Sequence, residues 1–83
     1  MLVVHLELTA QLTRQLRAVA ADPDVFEETL NSSLQQARLS GVNLKRFVRH
    51  GLVTAELPDG SLQALRDCPG VQWVEVDGVQ KAV

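Results

Sequence analysis

The sequence has only one cysteine among its 83 residues, Cys68. A lone cysteine excludes an internal disulfide and a metal site made only of cysteines, so packing must stabilise the fold. Neither His5 nor His50 stands at a diagnostic spacing from Cys68. We therefore expect an inert, partly buried thiol rather than a reactive one.

Positive charge is also scarce. Eight Lys and Arg residues against ten Asp and Glu residues give a formal net charge of -2. Nucleic acids and anionic membrane surfaces attract clustered Lys and Arg side chains. We therefore expect neither nucleic acid nor a membrane as a partner.

Long apolar runs are missing as well. The apolar residues Met1 to Val4 are followed by His5 and Glu7, and no basic segment precedes them. Such a start is neither a secretory signal nor a membrane span. As written, the chain is expected to be soluble, and either cytoplasmic or already processed.

What remains is the composition of an ordinary globular domain, with 46% apolar and 22% charged residues. A chain of 83 residues forms one domain and is too short for a deep, enclosed active site. His5 and His50 are isolated in the sequence, and no acidic group has the spacing of a metal site. We expect no enzyme activity, no cofactor and no metal.

The first elements follow from hydrophobic periodicity. Alternation of apolar and polar residues over Leu2–Leu8 predicts a half-buried strand. From Thr9, which offers a cap, Leu12 and Leu16 recur at helical spacing and predict a helix. The strand is therefore followed directly by a helix.

Pro23 interrupts this helical pattern, but proline is favourable in the first turn of a new helix. Asp22 or Asp24 can cap a second helical stretch, which Gly41 would close. Residues 9–40 thus form an enlarged helical region. It is either one kinked helix or a hairpin of two helices.

The second half of the chain predicts two further strands, a short helix and a last strand. An irregular strand is expected over Val42–Val48, and His50-Gly51 would turn it into a second strand over Leu52–Leu57. Ser61 would begin a short helix that stops before Pro69. The final strand spans Val71–Val76.

These elements have the order β-α-β-β-α-β. That order predicts an α+β fold, a ferredoxin-like two-layer sandwich in which a four-stranded antiparallel sheet carries its helices on one face. The other face of the sheet would be open. Because many functions use this architecture, the fold by itself does not identify one.

The last third of the chain carries a more specific pattern. A short helix with Leu62 and Leu65 is followed by Pro69, Val71 and the run Val74-Glu75-Val76-Asp77. This combination resembles the C-terminal half of the propeptides of subtilisin-type serine proteases. The resemblance implies a single propeptide-inhibitor-like domain over residues 1–83.

In that family the open sheet face rests on two parallel helices of the protease. The resemblance implies that Glu75 and Asp77 cap the N-termini of those helices, a role suited to carboxylates. The alternative is that both are solvated residues at a strand end. Trp73 is two residues from Glu75, so in a regular strand both side chains project from the same face and Trp73 is a protease anchor. The alternative is a core residue under the helices, because a bulge can change the direction of a side chain.

The segment after the motif, residues 78–83, would be an extended C-terminal tail. The resemblance implies that it lies along the protease cleft as a bound product, held by main-chain hydrogen bonds. The alternative is a frayed terminus. The predicted protease-contacting residues of the tail are Val79, Gln80, Lys81, Ala82 and Val83.

The resemblance implies an inhibitor of a subtilisin-like serine protease, which would also assist folding of the protease if it binds only the folded form. Free chains would be monomers or weak dimers. If the chain is an excised propeptide, its location would be extracellular. The competing interpretation is a small regulatory or ligand-binding ferredoxin-like module, dimeric through its open sheet.

Overall fold

The computed structural model describes residues 1–77, which form a three-stranded antiparallel sheet and four helices. The elements in chain order are β1 (Leu2–Leu8), α1 (Ala10–Ala18), α2 (Pro23–Leu34), α3 (Leu44–His50), β2 (Leu52–Leu57), α4 (Leu62–Arg66) and β3 (Val71–Val76). The predicted α+β class is confirmed. The prediction of four strands is wrong, because the described residues form three.

The N-terminal helical region consists of two helices rather than one kinked helix. The Thr9 side chain accepts a hydrogen bond from the Leu12 amide and caps α1. Asp22, not Asp24, caps α2: its Oδ1 accepts hydrogen bonds from the amides of Asp24 and Val25 at 3.1 and 3.3 Å. Proline at the first helical position has no N–H group that could be left unpaired. The cap and Pro23 together therefore set the start of α2.

Helix α2 ends earlier than the sequence predicts, at Leu34 rather than at Gly41. The chain then runs irregularly to α3, and Asn31 holds this segment in place. The Asn31 side chain accepts a hydrogen bond from the Leu39 amide at 2.8 Å and donates one to the Leu39 carbonyl at 3.0 Å. Leu39 is thereby fixed in the core, where it is buried.

The predicted strand over Val42–Val48 is instead the helix α3. Its start is capped by the Asn43 side chain, which accepts a hydrogen bond from the Arg46 amide at 3.2 Å. Phe47 is buried, and its ring meets Phe26 of α2 edge-on with centroids 4.9 Å apart. The contact of Phe47 with Phe26 of α2 buries both rings and favours the helix. The predicted hairpin therefore does not form.

Gly51 ends α3 instead of forming a hairpin turn. It adopts a left-handed conformation at φ 73°, and its amide donates to the Phe47 carbonyl at 2.7 Å. Glycine adopts this conformation without a steric penalty, which is why it so often follows the last residue of a helix. The chain then enters β2 directly.

In the sheet, β1 is the central strand and the order is β2-β1-β3, with antiparallel pairing on both sides. A short stretch before α3 lies along the outer edge of β2. Ser40 and Glu56 exchange two backbone hydrogen bonds of 3.0 and 2.8 Å, and the Asn43 amide donates to the Thr54 carbonyl at 2.8 Å. This edge of the sheet is therefore covered by an irregular segment rather than by a fourth strand.

The buried side chains of β1 and β2 all project from one face of the sheet. They join the buried residues of the four helices in one core. The strand residues in this core are Val4, Leu6, Leu8, Val53, Ala55 and Leu57. The helices therefore cover a single face, as the predicted two-layer arrangement requires.

Candidate functional site

The other sheet face is the candidate site, because the described residues place no helix over it. Strand side chains alternate between the two faces, so the residues next to the buried ones in sequence form this surface. We call it the open face. It contains Val3, His5, Glu7, Leu52, Thr54, Glu56, Trp73 and Glu75, with Asp77 at the end of β3.

Trp73 lies on the open face, not in the core. It stands opposite Glu7 on β1, and 44% of its surface is exposed. A shallow depression beside it is lined by Glu7, Leu52, Gln72 and Trp73. An aromatic side chain that is this exposed on a sheet is available to contact another molecule.

Glu75 and Asp77 share this face with Trp73. Glu75 is exposed and lies opposite His5 on β1. The Asp77 amide donates to the Val3 carbonyl at 2.8 Å, which extends the pairing of β3 with β1 by one residue. Three of the residues predicted to contact a protease are therefore brought together, and Val79, Gln80, Lys81, Ala82 and Val83 lie outside the described residues.

His5, which is isolated in the sequence, lies in the centre of the open face. Its Nδ1 is 3.1 Å from the Thr54 hydroxyl, and its Nε2 is 3.6 Å from Oδ1 of Asp77. The sequence could have indicated that His5 shares a face with Asp77, because alternate residues of a strand project from the same face of a sheet. The pairing partner of each strand, however, depends on the fold.

The open face is acidic. Four carboxylates, those of Glu7, Glu56, Glu75 and Asp77, lie on it, and within residues 1–77 it carries no Lys or Arg. Three apolar side chains accompany them: Val3 at 38% exposure, Trp73 at 44% exposure and the half-buried Leu52. An apolar anchor amid negative charge suits a partner surface of positive potential.

The remaining candidate chemistry lies away from this face. Cys68 is buried, and its Sγ donates to the carbonyls of Leu34 and Ala64 at 2.8 and 3.3 Å. Among residues 1–77, no group of three or more His, Cys, Asp or Glu side chains is placed to hold a metal ion. In the same range, no helix is long and apolar enough to cross a membrane.

The chain was compared with models of protein families, with characterised proteins and with solved structures, and none of the three comparisons gave a significant match.

Proposed function

We propose that this protein inhibits a subtilisin-like serine protease by docking its open face on the enzyme and placing its C-terminal tail in the active-site cleft. The observation that carries the proposal is the common position of Trp73, Glu75 and Asp77 on an uncovered, acidic sheet face. These residues belong to the segment that resembles subtilisin propeptides.

The spacing of the two carboxylates supports docking on a pair of helices. Residues two apart in a strand lie roughly 6.5–7 Å from each other and project from the same face. Packed helices lie about 8–10 Å apart. The flexible side chains of Glu75 and Asp77 can make up this difference, so each can reach the N-terminus of a different helix.

The electrostatics support the same partner. A helix N-terminus carries unpaired amides and the positive end of the helix dipole. The four carboxylates of the open face would therefore attract two such termini. Trp73, beside Glu75 on this surface, would supply the apolar contact that the charges lack.

The direction of the chain supports the role of the tail. Asp77 is held by its hydrogen bond to Val3 at the end of β3, and residue 78 follows it immediately. A segment beginning here starts at the border of the docking surface. In the proposed complex, residues 78–83 pair with the protease cleft as an added strand and Val83 occupies the position of a cleaved product.

The fold proposed for this function is a ferredoxin-like sandwich with a reduced second strand. The order β2-β1-β3 is that of three strands of such a sheet, and the segment from Ser40 to Asn43 lies where the fourth would pair. The open face needed for docking consists of the three strands that are present. Replacement of the edge strand by α3 therefore leaves the proposed site intact.

The test is a titration of subtilisin with the full chain and with a chain that ends at Asp77, followed by hydrolysis of a chromogenic peptide. We expect competitive inhibition by the full chain. Removal of the tail deletes several main-chain hydrogen bonds of about 0.5–1.5 kcal/mol each. Three such bonds correspond to roughly 10- to 2,000-fold weaker inhibition.

Circular dichroism of both chains is the control, since residues 1–77 contain every described helix and strand. Equal inhibition by the two chains would reject the role of the tail. No inhibition by the full chain at any concentration would reject the proposed function. A binding activity other than protease inhibition that survives truncation would instead favour a regulatory or ligand-binding module.

A further inference from the structure

The two edges of the sheet differ. The outer edge of β2 is paired with the backbone of Ser40 and Asn43. Within residues 1–77, no segment pairs with the outer edge of β3. An unpaired strand edge is a template for another strand, and proteins usually protect it with lysine, proline or a covering segment. Strand β3 contains neither lysine nor proline, and its register shift lies at its start, between Val71 and Trp73, so the stretch from Trp73 to Val76 is regular.

The alternation of hydrogen bonds shows which backbone groups are free on this edge. The Asp77 amide points to β1, where it meets the Val3 carbonyl. In an antiparallel pair every second residue bonds to the same neighbour, so Trp73 and Glu75 also bond to β1. The amides and carbonyls of Val74 and Val76 therefore point outward, away from the sheet.

The core is also incomplete at this edge. All the inward side chains of β1 from Val4 onward, and those of β2, are buried. The inward side chains of β3, Val71, Val74 and Val76, are only partly buried. Apolar side chains left half-covered beside unpaired backbone groups indicate a missing neighbour, because both features would be satisfied by one added strand.

We propose that this neighbour is β3 of a second copy of the chain, paired antiparallel across a two-fold axis at Val74. In this register Val74 pairs with the partner's Val74. Trp73 then lies opposite the partner's Glu75 on the open face. The result is a continuous six-stranded sheet whose two open faces lie on the same side.

Charge placement favours this register over the symmetric one centred on Glu75. A two-fold axis at Glu75 would put the two Glu75 carboxylates directly opposite each other, which is destabilising. The axis at Val74 separates them and pairs each with an aromatic side chain. In this register, the outward amide of Val74 in each copy donates a hydrogen bond to the outward Val74 carbonyl of the other copy. The dimer does not presuppose the proposed protease inhibition, because its backbone hydrogen bonds lie on the strand edge, although Trp73 and Glu75 of the open face take part in both.

The test measures amide hydrogen exchange by NMR over a range of concentrations of the full chain, alongside sedimentation equilibrium. The amides of Val74 and Val76 should exchange more slowly as the dimer forms. If only the monomer exchanges at these sites, their rates fall about tenfold once roughly 90% of the chain is dimeric. The amides of Trp73, Glu75 and Asp77 should be protected at every concentration.

A matched pair of variants isolates the edge. Val74→Pro removes the central outward amide without removing a bond to β1, and edge strands tolerate proline. We expect it to be monomeric, whereas Val74→Thr, which keeps the amide and the branched shape, still dimerises. If Val74→Pro does not fold, the concentration dependence of amide exchange in the unsubstituted chain tests the proposal.

Three results would overturn the proposal. The first is a chain that stays monomeric at all concentrations with fast exchange at Val74 and Val76. The second is protection of these amides that does not depend on concentration, which would assign the edge to residues 78–83. The third is a dimer in which both amides still exchange fast, which would place the contact elsewhere.

Discussion

At the scale of single residues, the open face concentrates negative charge around His5. Glu75 lies opposite His5 on β3, and Asp77 approaches its Nε2 to 3.6 Å. Glu7 and Glu56 occupy the neighbouring outward positions of β1 and β2. In the proposed complex these four carboxylates have different roles, because only Glu75 and Asp77 belong to the segment that is proposed to cap the protease helices.

The prediction at this scale separates the motif from general surface charge. The double variant Glu75→Gln, Asp77→Asn should weaken inhibition of subtilisin. Each lost carboxylate at a helix N-terminus removes about 0.5–2 kcal/mol, so the pair removes about 1–4 kcal/mol, or roughly 5- to 1,000-fold in affinity. Inhibition titrations measure the change, and thermal unfolding shows that the fold is retained.

The control is the double variant Glu7→Gln, Glu56→Gln, which removes the same charge from the same face. It should weaken inhibition less, through long-range attraction alone. If both double variants have equal effects, Glu75 and Asp77 do not act as specific caps. An unchanged affinity in the first variant would reject their role altogether.

At the scale of elements, α3 is where the sequence pattern is most ambiguous. Leu44, Phe47 and Val48 have the spacing of a helix face, but with Val42 they also resemble a strand with an irregularity. The structure has a helix in which Phe47 is buried and Val48 is 55% exposed. Seven residues carry too little local information to decide between these states, so tertiary contacts do so.

The substitution Val48→Ala tests this element. Alanine favours a helix over valine by up to about 0.7 kcal/mol, and an exposed side chain contributes little packing. We expect unfolding by guanidinium to show unchanged or slightly higher stability. In a strand the same substitution would be destabilising by up to about 1 kcal/mol, and that result would contradict α3.

Phe47→Leu serves as the companion variant, because it alters the buried face of the same helix. It should lower stability by about 1 kcal/mol through poorer packing against Phe26. Equal stability of the two variants would mean that the two side chains are not differently buried.

At the scale of the whole molecule, six of the seven elements contribute buried side chains to one core. The side chains of β3 only border it. Cys68 is part of this core at 2% exposure, between α4 and β3 in sequence. Its thiol donates to the carbonyl at the end of α2, Leu34. Access to this thiol therefore requires opening of the packed interior.

Labelling of Cys68 with Ellman's reagent should thus report on unfolding. We expect slow reaction in the native protein and fast reaction in concentrated guanidinium, because a buried thiol reacts only after it becomes exposed. The rate should follow the unfolded fraction measured by circular dichroism. Labelling as fast in buffer as in denaturant would show that the thiol is accessible in the folded state.

Much of the fold follows from local sequence. The alternation in β1, the cap Thr9 and the strand β3 were predictable, because neighbouring residues determine strand parity and helix starts. For the cap of α2, the local sequence offered both Asp22 and Asp24, and the structure has Asp22. Parity alone also placed Glu75 and Trp73 on one face. It did not show whether that face was open or covered.

Only the tertiary structure decided the rest. Residues 42–48 could serve as strand or helix, and the meeting of Phe47 with Phe26, distant in sequence, favours the helix. The side of the sheet that helices cover, and hence the exposure of Trp73, depends likewise on long-range packing. Local patterns fix the direction of side chains relative to their own element, whereas burial depends on which elements pack together.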